Sequence, residues 1–136
     1  MKFCVIGLGR FGYNVAITLA ENGADVMAID DRESTIAAIR DQVTHALCMR
    51  VVDEDSLRGA GAEGMDTVIV AMGESFAQSI LITALLKKKL GAKQIIARGT
   101  NEIHKEILQL VGADSVILPE KEIGIRLANR LTKKAA

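Results

Sequence analysis

Gly7-Leu8-Gly9-Arg10-Phe11-Gly12 places three glycines where a phosphate could be held by backbone alone. The spacing G-x-G-x-x-G suits that chemistry when it follows a strand and opens a helix. Gly7 can take a tight turn, Gly9 keeps a Cβ out of an anion's path, and Gly12 lets a helix pack close to a strand. The helix start then offers unpaired N–H groups and about half a positive charge to an anion. Asp30 stands 18 residues beyond Gly12, where a carboxylate accepts hydrogen bonds from ribose hydroxyls. Asp31 beside it repels a 2′-phosphate and so disfavours NADP. The competing structural role has the glycines serving packing and Asp30 capping a helix.

Further side chains converge on the same end of the expected sheet. Arg10 lies inside the glycine loop, where its guanidinium could fork onto a polyphosphate. Arg98 closes a fifth strand and Glu120 follows a sixth. A carboxylate near phosphates makes sense if it binds a divalent cation such as Mg2+, or pairs with Arg10. The plainer roles are a solvated strand end for Arg98 and a first-turn helix acid for Glu120. The candidate binding set is therefore Gly7, Gly9, Arg10, Phe11 and Gly12, then Asp30, Asp31 and Arg32 after the second strand. Met49 and Arg50 follow the third strand, Ala71, Met72 and Gly73 the fourth, with Arg98 and Glu120 completing it. Glu120 is also the one candidate metal ligand.

The elements that must position these residues alternate regularly. Strands are expected at Lys2–Ile6, Asp25–Ile29, His45–Met49, Thr67–Met72, Gln94–Arg98 and Ser115–Leu118. Helices are expected at Gly12–Asn22, Ser34–Val43, Asp53–Gly59 and Phe76–Leu90, then from an Asn101 cap through Leu110, and onward from Pro119. The Lys87–Lys89 run suits the negative pole of the fourth helix. Alternation of this kind implies an α/β fold with helices on both faces of a parallel sheet. With the glycine motif it reads as a Rossmann-like, doubly wound sheet of six strands in order 3-2-1-4-5-6.

Composition supports one domain and narrows the function. The chain has 136 residues, 49% hydrophobic and 25% charged, as ordinary globular domains do. Net charge is +0, which argues against a generic nucleic-acid binder. The balance hides an asymmetry: residues 1–68 carry 6 Lys/Arg and 11 Asp/Glu, residues 69–136 carry 11 and 6. Two differently decorated solvent faces, or a head-to-tail or membrane-side contact, would account for it. No apolar run approaches ~18 residues, and Met1 runs almost directly into the glycine motif, so no leader is expected. Cys4 and Cys48 sit in apolar runs and are expected to be buried free thiols. His45 and His104 read as boundary residues, and Tyr13 has no lysine partner at a recognisable spacing. A dehydrogenase needs a second substrate site and a proton donor. Here the nucleotide fold consumes the whole chain, so no catalytic residue is assigned and no enzyme is expected.

Several segments taken together resemble one family. GLGRFG at Gly7–Gly12, Asp30 in AIDD, Thr44-His45-Ala46, VIVAMG at Val68–Gly73, Gly112-Ala113-Asp114, and Pro119-Glu120-Lys121 occur there in this order. The chain resembles, over essentially its whole length, the N-terminal regulatory domain of bacterial Ktr/Trk-type potassium-uptake systems, the RCK or KTN domain. The resemblance implies a cytoplasmic regulatory subunit on the inner face of the membrane. It implies homodimers paired through the final helix, higher-order rings, and a membrane potassium-translocating partner. Ktr-type members bind ATP or ADP and Trk-type members are associated with NAD(H); the Ktr-type reading is preferred. By the same resemblance Arg10 reaches terminal phosphates, and Glu120 lies near them at the pair interface, where a divalent cation can sit. Residues 1–118 form the nucleotide-binding unit and 119–136 the crossing helix. The family's second, ligand-sensing domain is absent after Ala136, through truncation or as a natural stand-alone form. Met49-Arg50-Val51-Val52 departs from the family's small–Asp/Asn–Ala–Thr stretch near the adenine. An NAD(H)-sensing regulator, an NAD-dependent oxidoreductase fragment and a module serving an antiporter are the alternatives.

Overall fold

The computed structural model describes residues 1–73 and 75–133. Six strands, β1 (Lys2–Ile6), β2 (Asp25–Asp30), β3 (His45–Cys48), β4 (Thr67–Val70), β5 (Ile95–Arg98) and β6 (Ser115–Ile117), form one sheet. Its order is β3-β2-β1-β4-β5-β6 and every pairing is parallel. The six-stranded Rossmann-like topology expected from the sequence is the one observed.

Six helices connect and cover it: α1 (Arg10–Glu21), α2 (Glu33–Ile39), α3 (Glu54–Gly59), α4 (Phe76–Lys88), α5 (Glu102–Leu110) and α6 (Pro119–Leu131). Neighbouring side chains of a strand point to opposite faces, and the core divides accordingly. Val5, Ala28 and Ile69 pack with Ala16 of α1 and with Ile36 and Ile39 of α2. Cys4, Ile6, Ile29, Val68 and Val70 pack on the other face with Leu57, Ile82, Leu86 and Leu108. The expected crossing helix over 119–136 is described as far as 133; its last three residues lie outside the described residues.

Polar side chains set where the strands begin. Asp66 accepts from the Lys2 N–H at 2.8 Å, Asp114 from Ile95 at 2.7 Å, and the Thr44 hydroxyl from Val26 at 3.0 Å. Each satisfies an amide that the parallel ladder leaves over. Caps are equally local. Asn101 accepts from the His104 N–H at 2.9 Å, as its sequence position predicts, and Asp53 and Ser56 form a reciprocal capping box on α3.

Several boundaries differ from expectation. The second helix stops at Ile39 and tightens into a 3-10 turn over Arg40–Gln42, because Ile36 and Ile39 are both buried and the chain must then turn toward β3. The fourth strand ends at Val70 rather than Met72, where its neighbour β1 has already turned away at Gly7 (φ 95°). Helix α1 begins at Arg10, two residues early, which moves Arg10 and Phe11 from a loop into a first helical turn. Cys4 is buried, but Cys48 is exposed. Cys48 ends β3, an outer strand with one neighbour, and its thiol donates toward the Asp31 carbonyl at 3.7 Å.

Candidate functional site

The strand order reverses between β1 and β4, and a hollow of about 420 Å³ opens there beyond the carboxyl ends of the strands. Such a crevice is where open α/β sheets take ligands. The three glycines divide the labour as their spacing predicts. A Cβ on Gly7 would lie 2.9 Å from the Met72 nitrogen, and one on Gly12 only 1.9 Å from the Gly7 carbonyl oxygen. Those two are required by the protein's own packing. Gly9 is different: a Cβ there would meet nothing within 4 Å.

Helix α1 starts from Gly9 with no side-chain cap and no acid in its first turn. Its first internal bond runs from the Tyr13 N–H to the Gly9 carbonyl at 2.9 Å, leaving the preceding amides without an intrahelical acceptor. No side chain takes the capping position, so the amide cup remains open for an anion.

Asp30 is a buried carboxylate, 9% exposed, at the end of β2. It accepts from the Asp31 N–H at 2.7 Å and from the Leu8 N–H at 3.3 Å, and Arg32 Nη2 stands 3.7 Å away. One amide on each oxygen leaves lone pairs free for hydroxyl donors. Helix α2 is entered from Arg32, so Asp30 is not its cap.

Gly7, Gly9, Asp30, Asp31 and Arg32 line the hollow from one side, with Met49 and Arg50 from the loop after β3. Ala71, Met72, Gly73 and Arg98 line it from the other. Gly12 serves beneath the turn. Arg10, Phe11 and Glu120 do not line this hollow; they line a second groove, between α1 and α6. Arg98 alone borders both. Its guanidinium donates to Glu120 Oε1 at 2.9 Å and lies 5.9 Å from the centre of the Phe11 ring, at the outer limit of a cation–π contact. Glu120 thus pairs with Arg98, where the sequence suggested Arg10 or a cation. Among the described residues no three His, Cys, Asp or Glu side chains cluster as a metal site.

The sequence reading missed Ser75 and Gln78, which also line the hollow. Ser75 caps α4, and Gln78 donates to the Val51 carbonyl at 3.4 Å, tying α4 to the loop after β3. A serine before an apolar run was the available signal for Ser75. His104, half-buried, stacks on Phe76 at 3.6 Å, which places it as a boundary residue joining α4 to α5. His45 is exposed.

The glycine turn, the acid ending β2 and the crevice at the strand reversal define a Rossmann-type ligand-binding domain. Residues 3–119 match the TrkA-N domain, and the chain belongs to that family. It is 38% identical over 130 residues to the Ktr system potassium uptake protein C of Bacillus subtilis, covering 96% of this chain and 58% of that protein. The Ktr system potassium uptake protein A of Vibrio alginolyticus is 33% identical over 133 residues, 98% of this chain and 60% of the relative. The chain therefore spans about three fifths of the length of these relatives.

Among solved structures, the TrkA-N domain of the Escherichia coli inner membrane protein ybaL superposes with a TM-score of 0.85 at 20% identity, over 96% of each chain. The Kef C-terminal domain of Shewanella denitrificans in its AMP-bound form gives 0.84 at 20% identity, over 98% of this chain and 80% of that one. The GsuK channel bound to NAD gives 0.73 at 16% identity, over 85% and 21%. The family resemblance read from the sequence is borne out, as is the fold.

Proposed function

We propose that this chain is a nucleotide-sensing regulatory domain of a membrane potassium-transport system, binding ATP or ADP in the hollow and catalysing no reaction. The observation that carries the reading is the pairing of Gly9 with Asp30. Open space over uncapped amides suits a phosphate, and a buried carboxylate with free lone pairs suits a ribose. The Ktr relatives' potassium-uptake role supports the transport setting, and the AMP- and NAD-bound neighbours support an adenine nucleotide.

The adenosine end would rest among Asp30, Asp31, Arg32, Met49 and Arg50, and the phosphates between Gly7, Gly9 and Gly73. Arg98 stands beside the phosphates, and a divalent cation would travel with them. Arg10 and Glu120, on the groove beneath α6, would meet the terminal phosphate or its cation at the contact between two copies. The uncovered stripe Ile123, Leu127 and Leu131, each 44% exposed or more, supports pairing of two copies through α6 and assembly into a ring. No helix among the described residues is long and apolar enough to cross a membrane, in keeping with a cytoplasmic domain that acts on a separate membrane partner.

Asp30 and Asp31 also favour a second reading, an NAD(H) sensor, because an acid at that point accepts from an unphosphorylated ribose. Titration calorimetry with ATP, ADP, AMP and NADH, with and without Mg2+, tests both. Preferential ATP or ADP binding, reduced by Arg10→Ala, is expected. Preferential NADH binding untouched by Arg10→Ala overturns the first reading in favour of the second.

A further inference from the structure

Helix α6 is fastened to the rest of the chain chiefly at its first turn. None of its residues is buried, and Ile123, Ile125, Leu127 and Leu131 stand in the open. Two ion pairs hold that turn. Lys121 reaches Glu102 at the start of α5, and Arg98 Nη2 donates to Glu120 Oε1 at 2.9 Å. The pairs differ in one respect. Lys121 and Glu102 border neither hollow nor groove, whereas Arg98 borders both. While Nη2 serves Glu120, Nη1 lies 2.7 Å from where a Gly73 Cβ would stand, on the wall of the hollow. One side chain therefore sits between an anion site and the acid that anchors α6.

Its two possible partners are unequal. Glu120 is 70% exposed, so water and salt screen its hold on the guanidinium. A phosphate in the hollow carries more charge and offers the forked geometry a guanidinium prefers. We propose that Arg98 is an exchangeable contact, holding Glu120 while the hollow is empty and turning to the phosphate when a nucleotide enters, which unfastens the first turn of α6. The inference rests on the nucleotide reading above. Glu120 is then a competitor of the ligand for Arg98. Linkage makes the effect reciprocal: whatever draws α6 away from Arg98 raises nucleotide affinity by the same factor.

Calorimetric titration of the whole chain with ATP and ADP in EDTA, comparing wild type, Glu120→Gln and Lys121→Gln, tests it. Glu120→Gln should bind about two- to fivefold more tightly, the range an exposed ion pair spans. Lys121→Gln loosens the same turn but keeps the Arg98–Glu120 pair, so it should tighten binding by less than Glu120→Gln does. In wild type, saturating nucleotide should also speed hydrogen exchange at the Glu122 and Ile123 amides, the first in α6 with acceptors in that turn, and it should not do so in Glu120→Gln. Equal or weaker binding by Glu120→Gln, or equal tightening by Lys121→Gln, overturns the exchange while leaving the nucleotide reading intact. A wild-type chain that takes up none of ATP, ADP, AMP or NADH overturns the nucleotide reading and the exchange with it.

Discussion

The hollow above the sheet and the groove beneath α6 meet at Arg98, but they are finished to different degrees. In the hollow, backbone turns and strand ends form the walls, and its one buried carboxylate, Asp30, is satisfied by two amides. Helix flanks form the groove: Arg10, Asn14, Thr18 and Arg126 border it, and Ile123 stands 57% exposed at its edge. A site carried on a sheet is held by the core whether or not a ligand is present. A surface carried on a single outer helix is defined only when something covers it. The chain thus combines a preformed hollow with an uncovered helix surface, and one arginine borders both.

The sharpest break in that comparison comes from the glycines of the hollow. Gly12→Val forces a side chain to within 1.9 Å of the Gly7 carbonyl oxygen and 3.0 Å of the Ala71 Cβ, and should cost about 3 kcal/mol or more in urea denaturation. Gly9→Ala meets no protein atom within 4 Å, so stability should hold to within about 1 kcal/mol. Nucleotide affinity should nevertheless fall by at least about tenfold in calorimetry. If Gly9→Ala binds normally, the amide cup is not where the phosphates lie.

The groove predicts the reverse separation. Leu127→Asp combined with Leu131→Asp alters side chains 44% and 72% exposed, so unfolding free energy should change by less than about 0.5 kcal/mol per site. Sedimentation should then show a monomer where wild type self-associates. A wild-type chain that remains monomeric at high concentration removes the second copy as the cover for α6.

The two cysteines divide in a related way. Burial pushes the Cys4 thiol from 9.0 up to about 12, while Cys48 is exposed on the outer strand. One thiol should react with an aromatic disulfide reagent in the native chain and two after denaturation. The folded state keeps the Cys4 proton to higher pH than the unfolded chain. Its contribution to stability is therefore whole below about pH 9 and is lost as pH climbs toward 12. Cys4→Ser should flatten that alkaline decline in a denaturation series.

Most of the fold was legible because its signals are local. Apolar runs of four to six residues mark the strands, glycines mark the turns, and Asn101 and Pro119 mark helix starts. The residues bordering the hollow were legible for the same reason, since strand ends deliver them together. What escaped the sequence was set by distance and by edges. Cys48 sits, like Cys4, in an apolar run; its exposure follows from the edge position of β3, which the expected strand order already held but the run alone does not show. Arg98 and Glu120 are 22 residues apart, and their pairing depends on how α6 leaves β6. Ser75 and Gln78 belong to the hollow only because α4 starts beside the loop after β3.

Caps give the smallest effects and the finest division between the two regions. Asn101 accepts from the His104 amide at 2.9 Å on α5, away from the hollow, and Ser75 accepts from the Gln78 amide at 3.3 Å on its rim. Asn101→Ala should cost about 1 kcal/mol and leave nucleotide binding unchanged, because α5 borders neither the hollow nor the groove. Ser75→Ala gives up a longer bond and should cost less in stability. It also frees the first turn of α4, which carries Gln78 and its 3.4 Å bond to the Val51 carbonyl, so the loop bearing Met49 and Arg50 loses a tether. A small loss of nucleotide affinity should therefore accompany Ser75→Ala and not Asn101→Ala, read by denaturation and calorimetry on the same samples. Equal affinities would mean that the loop after β3 keeps its place without α4, and that the hollow is rigid on both sides.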